Sequence, residues 1–145
     1  MNNKATTQSA TEIEEQDTGD YLQLSFSRAP KKNHDALAQL GKRFEQWLKK
    51  YEVSSKIYYL NNNSSTAFEQ EVPSEGIESI AKTLSISNDE ELGVSLQFYR
   101  DRAHADQVRS KMMQDETFGA ITKEFDSLVT QGKNMITDGF NRLKV

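Results

Sequence analysis

The chain predicts an α+β fold in which an antiparallel sheet carries helices on one face, and three observations lead there. Two stretches, "YLQLSFS" from Tyr21 and "GVSLQFY" from Gly93, alternate apolar and polar residues with the period of two that a half-buried strand requires. Each is followed, after a charged turn, by a stretch whose apolar residues return at helical spacing. The chain has 145 residues, enough for one domain with a real core and too few to expect two.

Residues 1–19, "MNNKATTQSATEIEEQDTG", are polar and acidic around Ile13, so ordering them has little burial to offset it, and they read as a flexible tail. The domain is expected over 20–145. In the first strand Leu22, Leu24 and Phe26 fall on one face and Tyr21, Gln23 and Ser25 on the other. Past Pro30, Asn33 is a candidate N-cap with Asp35 in the first turn. Leu37, Leu40, Phe44, Trp47, Leu48 and Tyr51 then mark a helix to about Glu52. "SKIYYL" is a short aromatic strand, and "NNNSSTAFEQEVPSEG" is a loop by composition, long enough for a lid but as polar as a solvated insertion.

"IESIAKTLSI" and "GVSLQFY" read as the arms of a hairpin turned by "SNDEEL". In the second arm Val94, Leu96 and Phe98 oppose Ser95, Gln97 and Tyr99. A second helix starts after Asp101 with Ala105, Val108 and Met112 on its stripe, and an interrupted helical stretch runs on through Phe118, Ile121, Phe125 and Leu128. "KNMITDGFNRL" supplies the last strand, Gly139 marking a bulge or a close approach. The order strand, helix, strand, hairpin, helix, strand is that of the split βαβ, ferredoxin-like arrangement.

In that reading the strands before the two helices are central, adjacent and parallel, so both strand-to-helix turns share one end of the sheet. "FSRAPKKNHDA" and "FYRDRAHADQ" would then bring Arg28, His34, Arg100, Arg102 and His104 together beside two helix N-termini, with Tyr99 adjoining. Unpaired N–H groups and the helix dipoles favour a carboxylate or phosphate there. The competing reading makes Asp35 and Asp101 ordinary answers to the dipoles and the histidines surface caps. No third metal ligand stands out, and neither a metal nor a cofactor is expected. Tyr21, Gln23, Ser25, Ser95, Gln97 and Tyr99 are expected on the face away from the helices. They would meet a second copy or, alternatively, line a cavity for a small polar molecule.

From the second helix onward, "SKMMQDE" and "GKNMITDGF" resemble the YbaA-like family, domain of unknown function number 1428. Weaker agreement runs through "PKKNHDA" and the second hairpin arm. The family is similar to the dimeric α/β-barrel group, so the resemblance implies ferredoxin-like subunits paired through their sheets. It implies no established activity. Asp138 stands where the family often has the first of paired glycines, and "NNNSSTA" replaces its usual acidic segment.

A net charge of -4 offers no general attraction to nucleic acid or anionic membrane, and the absence of cysteine removes disulfides, thiolate metal sites and thiol catalysis. No apolar run is long enough to span a bilayer and the N-terminus lacks a signal-peptide layout, which together predict a cytoplasmic protein. The expectation is a homodimer that binds a small, possibly anionic molecule. A cofactor-independent enzyme of monooxygenase-like type and a non-catalytic interaction scaffold are the alternatives.

Overall fold

The computed structural model describes residues 19–61, 78–132 and 135–145. The expected tail, apart from Gly19, and the possible lid, apart from Asn61, lie outside them. Strand β1 (Tyr21–Pro30) leads through a 3-10 turn (Lys31–Asn33) into helix α1 (His34–Lys49), and β2 (Ser54–Asn61) follows. A one-turn helix α2 (Ile80–Thr83) precedes β3 (Glu90–Tyr99); α3 (Arg102–Gln114), α4 (Glu116–Leu128) and β4 (Ile136–Asn141) complete the chain.

The four strands form one sheet in the order β2-β3-β1-β4, every neighbouring pair antiparallel. An antiparallel sheet with helices was expected and is found. The parallel pairing of the two helix-bearing strands was expected and is not found. Tyr21 faces Tyr99 and Pro30 faces Glu90, so β1 and β3 run in opposite directions. The reason is connectivity: β1 and β2 both pair antiparallel with β3, which leaves them parallel to each other on either side of it. The end of β1 therefore lies at the start of β3.

The predicted hairpin is also replaced. "IESIAKTL" forms a helical turn, with the Ser79 hydroxyl accepting from the Lys82 N–H at 3.1 Å, and β3 pairs with β2 and β1. Ala81, Leu84 and Ile86 pack beside Leu92, Phe26 and Leu60, a spacing of three and two that serves a helical turn and its exit better than a strand.

The main core gathers Trp47 and Leu48 of α1, Val53, Ala105 and Val108 of α3, and Tyr99, with Tyr21, Phe44, Met112 and Phe118 at its margin. Tyr21 and Tyr99 thus belong to the helix-covered face. Their alternation partners Gln23, Ser25, Ser95 and Gln97 share that face, and Leu22, Leu24, Phe26, Val94, Leu96 and Phe98 lie on the other. This inverts the expected assignment. The polar stripe is inside, under α1, α3 and α4, and the apolar stripe is on the opposite face, where the one-turn α2 segment covers only its Phe26 and Leu92 end.

Local signals place the helices as the sequence suggests, with one exception. The Asp101 carboxylate accepts from the His104 main-chain N–H at 2.8 Å and caps α3, and Asp115 caps α4 through the Phe118 N–H at 2.9 Å. Asn33 caps nothing; its amide donates to the Leu128 carbonyl at 2.8 Å and ties the start of α1 to the end of α4. Helix α1 closes with Glu52 in the left-handed region at φ 61°, so that the Val53 N–H returns to the Leu48 carbonyl at 3.1 Å. The close approach expected at Gly139 is present: an added Cβ would fall 1.8 Å from the Tyr21 hydroxyl.

Candidate functional site

Antiparallel pairing divides the six residues named as a site. Arg28 and His34 stand where β1 ends; Tyr99, Arg100, Arg102 and His104 stand where β3 ends. With ten residues in each strand and about 3.3 Å per residue, the two turns are roughly 30 Å apart. A single paired anion site is excluded by this geometry.

His104 is buried at 5 % exposure, and main-chain groups hold both of its ring nitrogens. Nδ1 accepts from the Arg100 N–H at 3.2 Å, so Nε2 carries the hydrogen and donates to the Tyr51 carbonyl at 2.7 Å. The ring also meets Tyr99 edge-on, centroids 5.5 Å apart. It pins the β3–α3 turn to the end of α1 and has no nitrogen left for a ligand. Burial pushes the Tyr99 phenol up to about 12, against a smaller downward pull from Arg109, so it remains a donor, to Gln97 Oε1 at 2.9 Å. Arg100 pairs with Glu52 at the exposed surface, and Arg102 is exposed in the first turn of α3.

Arg28 points to the face away from the helices. It donates to the carbonyls of Leu84 and Ser85 and stands 3.9 Å from the Glu90 carboxylate. Glu90 is buried and also accepts from the Thr130 hydroxyl at 2.6 Å and from the Ser87 N–H and hydroxyl at 3.0 and 2.8 Å. Burial raises its carboxyl, but these hydrogen bonds, with the Arg28 charge, outweigh burial and hold it below its ordinary value. Arg28 is therefore a structural cation that ties the α2 segment to the sheet.

His34 differs. Its Nδ1 lies 2.8 and 3.0 Å from the two carboxylate oxygens of Glu91, and the Tyr59 ring meets it edge-on at 4.6 Å. The Glu91 side chain is only 12 % exposed and that of His34 is 39 % exposed. A sheltered carboxylate thus fixes the orientation of an accessible imidazole. Among the described residues nothing hydrogen-bonds to its Nε2.

Glu91 heads the inner stripe of β3, which continues through Gly93, Ser95, Gln97 and Tyr99; Tyr21, Gln23, Ser25 and Ser27 run beside it on β1. Gln23 donates to the Thr137 hydroxyl at 2.6 Å, and Ser25 shares a 2.9 Å bond with the same hydroxyl. Ser27 and Ser95 are half-buried, and their hydroxyls have no partner among the described residues. Glu91 and Tyr59 were not singled out in the sequence. Carrying the β3 alternation two residues back through "EELG" puts Glu91 on the polar stripe, a signal that the acidic, turn-like composition of "SNDEEL" masks. Among the described residues no three His, Asp or Glu side chains converge as metal ligands.

The DUF1428 family, described as proteins of unknown function, matches residues 20–127. The chain belongs to that family. The DUF1428 match takes in β1 through nearly all of α4, and with them both histidine turns and the "SKMMQDE" segment, while "GKNMITDGF" lies beyond it. No curated protein matches the chain. Among the described residues no helix is long and apolar enough to cross a membrane.

Proposed function

We propose that this DUF1428 chain is a homodimer of ferredoxin-like subunits, closed through the sheet faces into a dimeric α/β barrel, and that it binds a small polar molecule over the inner face of each sheet. The domain of this reading is residues 20–145, and the strand order β2-β3-β1-β4 with two long crossovers supports it.

The observation that carries the dimer is the apolar stripe opposite the helices. Leu22, Leu24, Phe26, Val94, Leu96 and Phe98 run down the two central strands, flanked by Tyr58, Ile136 and Phe140 at 54 %, 53 % and 48 % exposure. Lys56 beside Leu96 and Asp138 beside Leu24 interrupt its margins, so four strands about 4.8 Å apart and six residues along give a mixed face of roughly 400 Å² in plan with the apolar stripe at its centre. A second sheet packed about 10 Å away would cover it. Leu96→Glu, at the centre of the stripe, is expected to halve the solution mass measured by light scattering. Gln97→Glu, one residue on and facing the helices, is expected to leave that mass unchanged. A full-length chain that is already monomeric at micromolar concentration would overturn the dimer.

The ligand reading rests on the hydroxyls of Ser27 and Ser95 beneath the helices, unpartnered among the described residues, where a well-packed sheet would present apolar groups. The inner stripes of β1 and β3 carry no lysine or arginine, which favours a neutral ligand over the anion expected from the two turns. Native mass spectrometry of freshly purified protein is expected to show a small neutral adduct that Ser95→Leu removes.

A further inference from the structure

We propose that His34 and Glu91 form a proton-transfer pair that acts, without a cofactor, on a neutral hydroxy-carbonyl compound; this rests on the small-molecule reading above. Three observations meet here. The Glu91 carboxylate is sheltered and grips Nδ1 through both oxygens, which fixes the ring and stabilises the imidazolium that forms when Nε2 takes a proton. Tyr59 packs edge-on against the imidazole and restricts its rotation. Glu91 also stands on the same face of β3 as Ser95, four residues or about 13 Å along, with Gly93 between and the Ser27 hydroxyl over Gly93.

The other histidine supplies the contrast within the same molecule. Main-chain groups saturate His104, as a purely structural imidazole requires, whereas a carboxylate holds His34 on one nitrogen and leaves its second nitrogen open among the described residues. The hydroxyls and the lack of inner-face cations select a neutral, oxygen-rich partner. The chemistry needs no reactant beyond solvent: His34 removes a proton from the carbon beside the carbonyl, the electron pair moves to the carbonyl oxygen to give an enediolate, and the imidazolium, its proton free to exchange with water, reprotonates the same carbon, or the former carbonyl carbon once the hydroxyl proton has passed to the neighbouring oxygen. Atoms and electrons balance, and the net result is tautomerisation or exchange of that hydrogen with solvent.

The test uses the full chain with dihydroxyacetone in D2O, read by two NMR measurements. Saturation transfer from protein to probe reports binding, and loss of the CH2 signal reports exchange. Wild type is expected to bind and to exchange. Glu91→Gln is expected to bind as well but to exchange about a hundredfold more slowly, and His34→Gln to bind and fall to the buffer rate. Ser95→Leu is expected to lose the saturation transfer. Binding with exchange no faster than that of His34→Gln overturns the proton-transfer pair while the binding reading stands. Absence of saturation transfer to the wild type overturns both.

Discussion

The two strand-to-helix turns read almost alike, Phe, one residue, Arg, a charged turn and then His, and they do different work. At the β3–α3 turn the histidine is buried and spends both nitrogens on the main chain, and a carboxylate cap starts the helix. At the β1–α1 turn the histidine is half-open and held by a side-chain carboxylate, and the asparagine in the capping position reaches across to α4 instead. What separates them is the neighbour each turn meets. The end of β3 abuts the end of α1, where the Tyr51 carbonyl needs a donor, while the end of β1 abuts the start of β3, where Glu91 supplies an acceptor.

The contrast is sharpest in stability. His104→Ala leaves a part-buried carbonyl and a part-buried N–H unpaired and opens a cavity where the buried ring sat, and is expected to cost about 3 kcal/mol in urea unfolding. Next comes the network beside the β1–α1 turn: Glu90→Gln weakens hydrogen bonds made to a charged acceptor and is expected to cost about 2 kcal/mol at neutral pH. Its sign with pH follows from the lowered folded-state carboxyl. The stabilisation is complete above the ordinary value of 4.5 and is lost as pH falls through the lower folded value, so the gap between wild type and Glu90→Gln closes in acid unfolding curves below about 4.5. Asp101→Ala removes the α3 cap at about 1 kcal/mol. His34→Ala breaks a partly exposed ion pair and is expected to cost about 0.5 kcal/mol. A loss at His34 as large as that at His104 would erase the distinction and make both histidines struts.

The two sheet faces repeat the lesson at larger scale. Alternation in "YLQLSFS" and "GVSLQFY" identifies two strands and sorts their residues correctly into two sets, and the Asp101 cap, the stripe of α3 and the approach at Gly139 are equally legible because each is a local relation. Which set meets the helices is not local. A strand with one apolar and one polar face is satisfied by burying either against a suitable layer, and the customary assumption that helices cover the apolar side fails here: Tyr21 and Tyr99 join Trp47 and Val108, and Leu24 and Leu96 lie opposite. Asp115 shows the same limit within one contact. Its carboxyl sits below its ordinary range chiefly through the Phe118 N–H, readable as a cap, and next through the Trp47 indole, which no spacing suggests. That approach falls short of hydrogen-bond geometry, for the buried indole N–H has no hydrogen-bond partner among the described residues.

The sequence by itself determined the α+β class, the four strands of the sheet along with a fifth that is a helical turn in the structure, the two helices that follow β1 and β3 with helical spacing continuing into α4, and the polar stripe, since periodicity, caps and turn residues act over a few positions. Only the tertiary structure decided that β1 and β3 oppose each other, that the two histidines stand at opposite ends, and that the polar stripe faces inward. Those outcomes depend on how each crossover returns the chain to the sheet, and strand direction and face are properties of packing between segments far apart in sequence. The pairing of His34 with Glu91, 57 positions on, is one product of that arrangement.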